Sequence, residues 1–346
     1  MKIVLAFDSY KGCLTASEAC RATHKALHSL MPDVEVVSLP MSDGGEGLVE
    51  CVSTALKLTM VEADVCGPIG ETVRARYAIS ADGSTAYMEA AAACGLTLVP
   101  TDKRNPMLTT TRGVGEMLMD AVQRGCKQVV IGLGGSATCD GGMCAVDAMM
   151  DYLPLPLSVT VACDVRNPLY GPQGAAYIFA PQKGASPSQT ALLDQQLREF
   201  AQLTVQRGYA TTDLAQCAGA GAAGGLGYAL MAYLGAQMQP GAELVADVIG
   251  LRLHAEEADY IITGEGRSDS QTLMGKVPAG VLEIGKQLGV PVILLSGAVD
   301  DEALLRESGF AIVTSINAGD ERPLNELMRP EVAMFNIENT IQKLDI

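Results

Sequence analysis

The segment I-V-L-A-F-D-S-Y-K-G, Ile3 to Gly12, decides the fold. Its five-residue apolar run is too short for a signal peptide and suits a first strand, and Asp8, Lys11 and Gly12 then end that strand in a polar turn. A helical pattern begins near Ser17, a second apolar run covers 34–39, and another helical pattern follows Gly47, giving a βαβα opening. The C-terminal part repeats this grammar. Apolar runs at 260–263, 290–295 and 310–315 are separated by helical patterns at 277–288 and 302–307. Short β-branched strands alternating with helices predict a mostly parallel sheet covered on both faces. The middle of the chain differs, opening with short alternating strands at 72–79 and 85–88 that turn on 81–84. The expectation is an α/β protein of two lobes, with residues 1–65 and 256–346 forming one domain and 66–255 an inserted second α/β domain. A cleft between two such lobes is a common place for a small-molecule site.

The composition fits this reading and removes several function classes. Among 346 residues, 48% are hydrophobic and 18% charged, with 37 glycines and no tryptophan, which suits tight strand-to-helix turns rather than disorder. A formal charge of −16, with no basic stripe, argues against nucleic acid and anionic membrane surfaces as partners. Because charges are screened beyond about 8 Å at physiological salt, a few local lysines can still hold an anionic substrate. Ten cysteines without a C-x-x-C pair read as free thiols of a reducing, cytoplasmic compartment. The uncharged stretch 217–238 carries six glycines and reads as a closely packed turn and helix rather than a membrane span. His24, His28 and His254 lie in helical patterns without a partner motif, so zinc or histidine chemistry has no support.

Six segments carry candidate chemistry. D-S-Y-K-G puts Asp8 and Lys11 at the end of the first strand, where open parallel sheets bind ligands, although a loop ion pair has the same appearance. S-D-G-G-E-G, Ser42 to Gly47, offers Ser42, Asp43, Gly44 and Glu46 for a hydroxyl or a metal, or a helix cap. G-L-G-G-S-A-T-C-D-G-G, Gly132 to Gly142, follows a strand and contains Gly134, Gly135, Ser136, Thr138 and Asp140. Its amides suit phosphates, and its spacing also fits a dinucleotide fingerprint, so an NAD(P)-dependent oxidoreductase is the rival. A-C-D-V-R-N-P-L supplies Asp164 and Asn167, and P-Q-K-G supplies Lys183 as a phosphate contact. G-A-G-A-A-G-G-L-G, Gly219 to Gly227, lacks a preceding strand and reads as close packing or a ligand loop. T-G-E-G-R-S-D-S-Q-T-L-M-G-K, Thr263 to Lys276, gathers Glu265, Arg267, Asp269, Gln271 and Lys276 in one strand-end loop. Val277 after Gly275 and Lys276 rules out a Walker loop.

In this order the six segments resemble the type I glycerate kinases, bacterial enzymes that transfer a phosphoryl group from ATP to D-glycerate. The resemblance implies a flavodoxin-like parallel domain built from both termini and a different inserted domain. It implies ATP and Mg2+ as cofactors, D-glycerate as substrate and 2-phosphoglycerate as product, with the 3-phosphoglycerate isomer as alternative. Asp43, Asp140 and Asp269 are then candidates for the proton acceptor, with Lys11 and Arg267 as catalytic cations and Asp164 on the metal. Asp8, Ser42, Gly44, Glu46, Gly134, Gly135, Ser136, Thr138, Asn167, Lys183, Glu265, Gln271 and Lys276 are candidates for binding substrate or nucleotide. A homo-oligomer is compatible with all of this. Two departures stand out: Cys139 where the family usually has Asn, and a stretch at about 145–159 some thirty residues shorter than the family norm. The second departure keeps a non-catalytic sugar-acid-binding protein in view.

Overall fold

The computed structural model describes residues 1–344. By internal contacts the chain divides into two compact units. The first comprises Met1–Asp43, Glu50–Leu56 and Ala242–Ile346, and the second Gly44–Val49 and Lys57–Gly241.

The first unit is built on five parallel strands, β1 (Lys2–Phe7), β2 (Glu35–Ser38), β9 (Tyr260–Gly264), β11 (Val292–Ser296) and β13 (Ile312–Ser315). The strands numbered between them are β3 (Leu58–Cys66), β4 (Thr72–Ser80), β5 (Thr85–Glu89), β6 (Gln128–Gly132), β7 (Ser158–Ala162), β8 (Gln237–Gln239), β10 (Arg267–Ser268) and β12 (Ala298–Val299). The sheet order is β2-β1-β9-β11-β13, which is the flavodoxin order for the unit's own five strands. The Ile3–Phe7 run is buried throughout because β1 is a central strand, with Val4 in register with Val37 on one side and Ile261 on the other. Ile3, Leu5, Phe7 and Ile262 pack against the helix Ala16–Leu30 through Ala19, Cys20, Ala26 and Leu27 and against the helix Pro330–Ile341 through Ala333, Ile337 and Ile341. Thr15 and Glu18 form a reciprocal capping box that starts the first of these helices. The helices Val277–Leu288 and Glu302–Glu307 have the bounds read from the sequence, the first opened by Pro278 and closed by left-handed Gly289.

The second unit carries a six-stranded sheet in the order β3-β4-β5-β6-β7-β8. The first three strands are an antiparallel meander, and β5 through β8 run parallel. Here the boundaries move from those read off the sequence. Residues 57–65, assigned above to the terminal domain, form most of β3, which pairs along its whole length with β4 and therefore belongs to the second unit. Residues 242–255, assigned to the insert, count with the first unit. The stretch 217–238 holds the helix Ala222–Leu234, whose Ala223, Gly224 and Gly225 have positive φ. It is packed against protein: a Cβ on Gly224 would lie 2.1 Å from the Thr138 carbonyl oxygen, and the Gly141 amide donates to the Gly224 carbonyl. The packing half of the reading of Gly219 to Gly227 thus describes this segment. Among the described residues no helix is long and apolar enough to cross a membrane, and the ten cysteines are free.

Candidate active site

In the first unit β1 connects to β2 on one side while β9 continues the sheet on the other, so the order in which strands are added reverses between β1 and β9. Loops leaving the carboxyl ends of these two strands diverge, and this opening is where doubly wound sheets bind ligands. The loop after β1 carries Asp8 to Lys11, and the loop after β9 carries Glu265 to Lys276. Together with Asp43 they line a cavity of about 400 Å³.

Asp8 is only 6% exposed, although its backbone amide continues the β1–β9 ladder by donating to the Gly264 carbonyl. Its Oδ1 accepts the Ser9 amide at 2.7 Å. Burial, reinforced by the neighbouring Asp43 charge, raises its pKa from 3.8 to about 7 against the opposing pull of that amide bond and of Lys11. Lys11 Nζ lies 3.1 Å from Asp43 Oδ2. Partial burial disfavours the Lys11 charge, but Asp43 more than offsets this and holds the ammonium above its ordinary pKa.

Glu265 follows β9 directly and is buried, and its position is fixed by hydroxyls. Its Oε1 accepts from Ser268 Oγ at 3.0 Å and Thr272 Oγ1 at 2.6 Å, and its Oε2 lies 3.6 Å from Lys276 Nζ. Ser268 also meets Ser296 Oγ at 2.7 Å. Gly264 must be glycine, since a Cβ there would sit 1.8 Å from the Leu295 carbonyl oxygen. Lys276 stands just before the helix Val277–Leu288, and its side chain is 39% exposed. Arg267 is held on the two-residue pair β10–β12, where its Nε donates to Asp300 Oδ2 at 2.8 Å. Asp8, Lys11, Asp43, Glu265, Arg267 and Lys276 thus converge on one cavity.

Other candidates are engaged elsewhere. Asp269 caps a short 3-10 turn, its carboxylate accepting the Gln271 amide at 2.8 Å, and neither residue is among those lining the cavity. The S-D-G-G-E-G motif is divided, Ser42 being buried in the first unit and Gly44 and exposed Glu46 belonging to the second.

In the second unit the loop after β6 is a tightly fastened turn. A Cβ on Gly132 would meet the Gly44 carbonyl oxygen at 2.2 Å, and one on Gly134 the Gly45 Cα at 2.7 Å, so these glycines admit another piece of backbone. Exposed Gly135 has φ +73° and its carbonyl accepts the Leu96 amide. Asp140 is a fastener: it accepts from the Thr111 amide at 2.9 Å, the Thr111 hydroxyl at 2.8 Å and the Gly142 amide at 3.1 Å. Lys183 corrects the expectation of a phosphate contact. It is 3% exposed, and its Nζ donates inward to Ser136 Oγ at 2.9 Å and the Thr138 carbonyl at 2.6 Å. Burial lowers its pKa. Asp164 is exposed beyond β7 with Oδ1 on the Gly241 amide, and Asn167 Nδ2 donates to the Gln173 carbonyl.

The residue reading missed Tyr10, whose hydroxyl donates to the Leu295 carbonyl, and the hydroxyls of Ser268, Thr272 and Ser296 that seat Glu265. A signal was present: S-G-A-V-D at 296–300 follows β11 as G-E-G-R-S-D at 264–269 follows β9, and these two strand-end segments pair.

Fold and site define a two-unit α/β enzyme whose flavodoxin-ordered sheet presents paired carboxylates and cations at its switch point, a setting for a small anionic substrate. The chain belongs to the glycerate kinase family, whose model matches residues 3–153 and 147–344. The two matches meet within the stretch read as shortened. It is 42% identical to a glycerate 2-kinase of Escherichia coli K12, with 93% of each chain covered. It is 38% identical to a glycerate kinase of Bacillus cereus, covering 99% of this chain and 97% of the relative. A crystal structure from Salmonella typhimurium LT2, provisionally described as glycerate kinase 2, superposes with a TM-score of 0.85 at 38% identity, covering 99% of this chain and 96% of that one.

Proposed function

We propose that this protein phosphorylates the 2-hydroxyl of D-glycerate with ATP, and that the chemistry is organised by the cavity at the β1–β9 switch point. The observation that carries the reading is the buried Asp8 carboxyl, placed among Lys11, Arg267 and Lys276 in that cavity. Burial that raises the Asp8 pKa to about 7 makes this carboxylate a stronger base than an ordinary one, suited to take a proton from an alcohol as that alcohol attacks. In the proposed step the glycerate oxygen bonds to the γ-phosphorus and the bond from phosphorus to the bridging oxygen breaks. Its electron pair leaves with ADP, and the hydroxyl proton passes to Asp8. Arginine forks and lysine point charges suit phosphate and carboxylate oxygens, so Lys11, Arg267 and Lys276 hold these anions. Asp43 and Glu265 position the two lysines.

Magnesium is part of this reading. Among the described residues no group of three or more ligating side chains is gathered. Mg2+ ordinarily uses one or two carboxylates together with phosphate oxygens, and Asp43 on the cavity wall fits that modest demand, whereas Asp164, expected above to hold the metal, lies in the second unit with Oδ1 on the Gly241 amide. When bound, the ion would neutralise phosphate charge. The free thiols suit a reducing compartment, which supports a cytoplasmic enzyme, and the family resemblance supports a role in organic-acid catabolism. The oxidoreductase reading loses support because Gly132 and Gly134 make room for the chain's own backbone rather than for a pyrophosphate.

The test is a coupled ADP-release assay with D-glycerate, ATP and magnesium, followed by phosphorus NMR of the product. Turnover to 2-phosphoglycerate supports the proposal. A 3-phosphoglycerate product corrects its regiochemistry, and binding of both substrates without turnover replaces it with a binding protein.

A further inference from the structure

The lining of the switch-point cavity is of two chemical kinds. Asp8, Lys11, Asp43, Glu265 and Lys276 supply charged lining, while Ile316, Leu324, Leu327, Met328 and Ala333 supply apolar lining. A three-carbon acid such as glycerate carries a carboxylate and two hydroxyls and has nothing to place on an apolar wall. The volume, about 400 Å³, also falls in the range of pockets that enclose drug-sized ligands. Cavities of about 490 and 250 Å³ in the second unit have no lysine or arginine on their walls.

The apolar wall is a pinned surface rather than a loose tail. Buried Asn336 donates to Asn317 Oδ1 at 2.8 Å and to Asp320 Oδ2 at 3.2 Å, and Asn317 donates to the Gly297 carbonyl at 2.8 Å. These bonds fix the turn that leads into the short helix Leu324–Leu327. Met328 reaches toward the loop that carries Lys11: a Cβ built on Gly12 would lie 3.4 Å from its Cε. Leu324 is nevertheless 70% exposed, so apolar area on a fixed surface stands open beside three cations.

We infer that this wall is the seat of the nucleotide base, so that the first unit alone holds ATP, with the base against Leu324, Leu327 and Met328 and the phosphates toward Lys11, Lys276 and Arg267. The inference rests on the kinase reading and adds to it which part of the chain recognises the nucleotide. A flat aromatic ring joined to a polyanion is the ligand class that matches apolar and cationic lining in one pocket.

The experiment compares the parent protein with Leu324→Asn/Met328→Gln, a pair chosen to remove apolar surface without adding charge, and with Leu253→Asn, an equally exposed leucine elsewhere in the unit. Steady-state kinetics and displacement of a fluorescent N-methylanthraniloyl ATP are both measured. The expected result is a KM for ATP and a Kd for the analogue raised about tenfold or more in the double variant. The KM for glycerate should stay within twofold, and Leu253→Asn should change neither. An unchanged ATP KM, or a rise in the glycerate KM instead, overturns the inference while leaving the kinase intact. A parent that binds the analogue through this wall yet never turns over glycerate overturns the kinase reading and leaves the nucleotide seat standing. Conservative Met328→Leu should restore most of the lost affinity, which separates loss of apolar contact from misfolding.

Discussion

Replacing Asp8 by asparagine should make the protein more stable and less active, and the two effects should share one pH dependence. The asparagine Oδ1 can still accept the Ser9 amide, so the main change is removal of an ionisable group. The native pKa of about 7 lies above the ordinary carboxyl value of 3.8, so the native state binds this proton more tightly than the unfolded chain. The contribution of Asp8 to stability is therefore fully present below pH 3.8, declines as pH rises, and is lost once pH passes about 7. At about 1.36 kcal/mol per tenfold change in proton affinity, the full span corresponds to about 4 kcal/mol of strain carried by the ionised wild type at pH 8. Asp8→Asn should relieve about 2–4 kcal/mol of this, since the carboxamide must still be accommodated. Urea denaturation from pH 4 to 8 reads the difference, and hydrogen exchange of β1 peptides assigns the transition to the first unit. The two proteins should match near pH 4 and diverge steadily to pH 7. Over the same range kcat should rise with pH in the wild type, and the variant should lose roughly 10²–10⁴-fold, the usual worth of a general base. A variant that is less stable at pH 8 than at pH 5 relative to wild type, or one that retains most of its kcat, would refute the assignment of a buried, proton-accepting Asp8.

Three further outcomes are expected. Lys183→Met should lower stability by about 2–5 kcal/mol in thermal denaturation, because Ser136 Oγ and the Thr138 carbonyl lose their buried amino donor. Gly224→Ala should cost about 3 kcal/mol or abolish folding, since its Cβ would meet the Thr138 carbonyl oxygen at 2.1 Å. Gly208→Ala has equally positive φ but open space and should cost only about 1 kcal/mol, so the pair of melting curves separates crowding from backbone strain. Arg267→Ala removes an exposed ion pair with Asp300 and should change stability by less than about 1 kcal/mol, while kcat/KM falls roughly 10–100-fold. An equal loss of both would return Arg267 to the surface.

The first unit was readable because its signals are local. β1 and β11 are uninterrupted apolar runs, as strands buried on both faces must be, and Pro278 and Gly289 bracket a helix without reference to anything distant. The strand order came from the resemblance to a family and not from any residue pattern, since parallel neighbours are joined by long crossovers that leave no local mark. β3 shows the limit. L-T-M-V-E-A-D-V-C alternates like a half-exposed strand, yet its partner is set by a long antiparallel register with β4, so length and periodicity alone left it in the wrong unit.

The site was legible as a set of motifs and illegible as a division of labour, and the reason is burial. Asp43, Asp140, Asp164 and Asp269 are the same residue among small and polar neighbours, so the sequence offers four interchangeable carboxylates for base and metal ligand and leaves Asp8 among the binding residues. Three-dimensional contacts separate them. Asp269 caps a turn, Asp140 ties down Thr111 and Gly142, and Asp43 holds Lys11, whereas Asp8 faces the cavity from a position that raises its proton affinity. The same logic reverses Lys183, a lysine that reads as solvated in P-Q-K-G until its ammonium is found beneath the loop it was expected to assist. A charged side chain acquires its function from what its surroundings charge for desolvation, and that quantity depends on residues hundreds of positions away. β1 and β9 lie side by side only because the intervening chain folds as a unit of its own, so the switch point that sets Asp8 apart is a property of topology before it is a property of any motif.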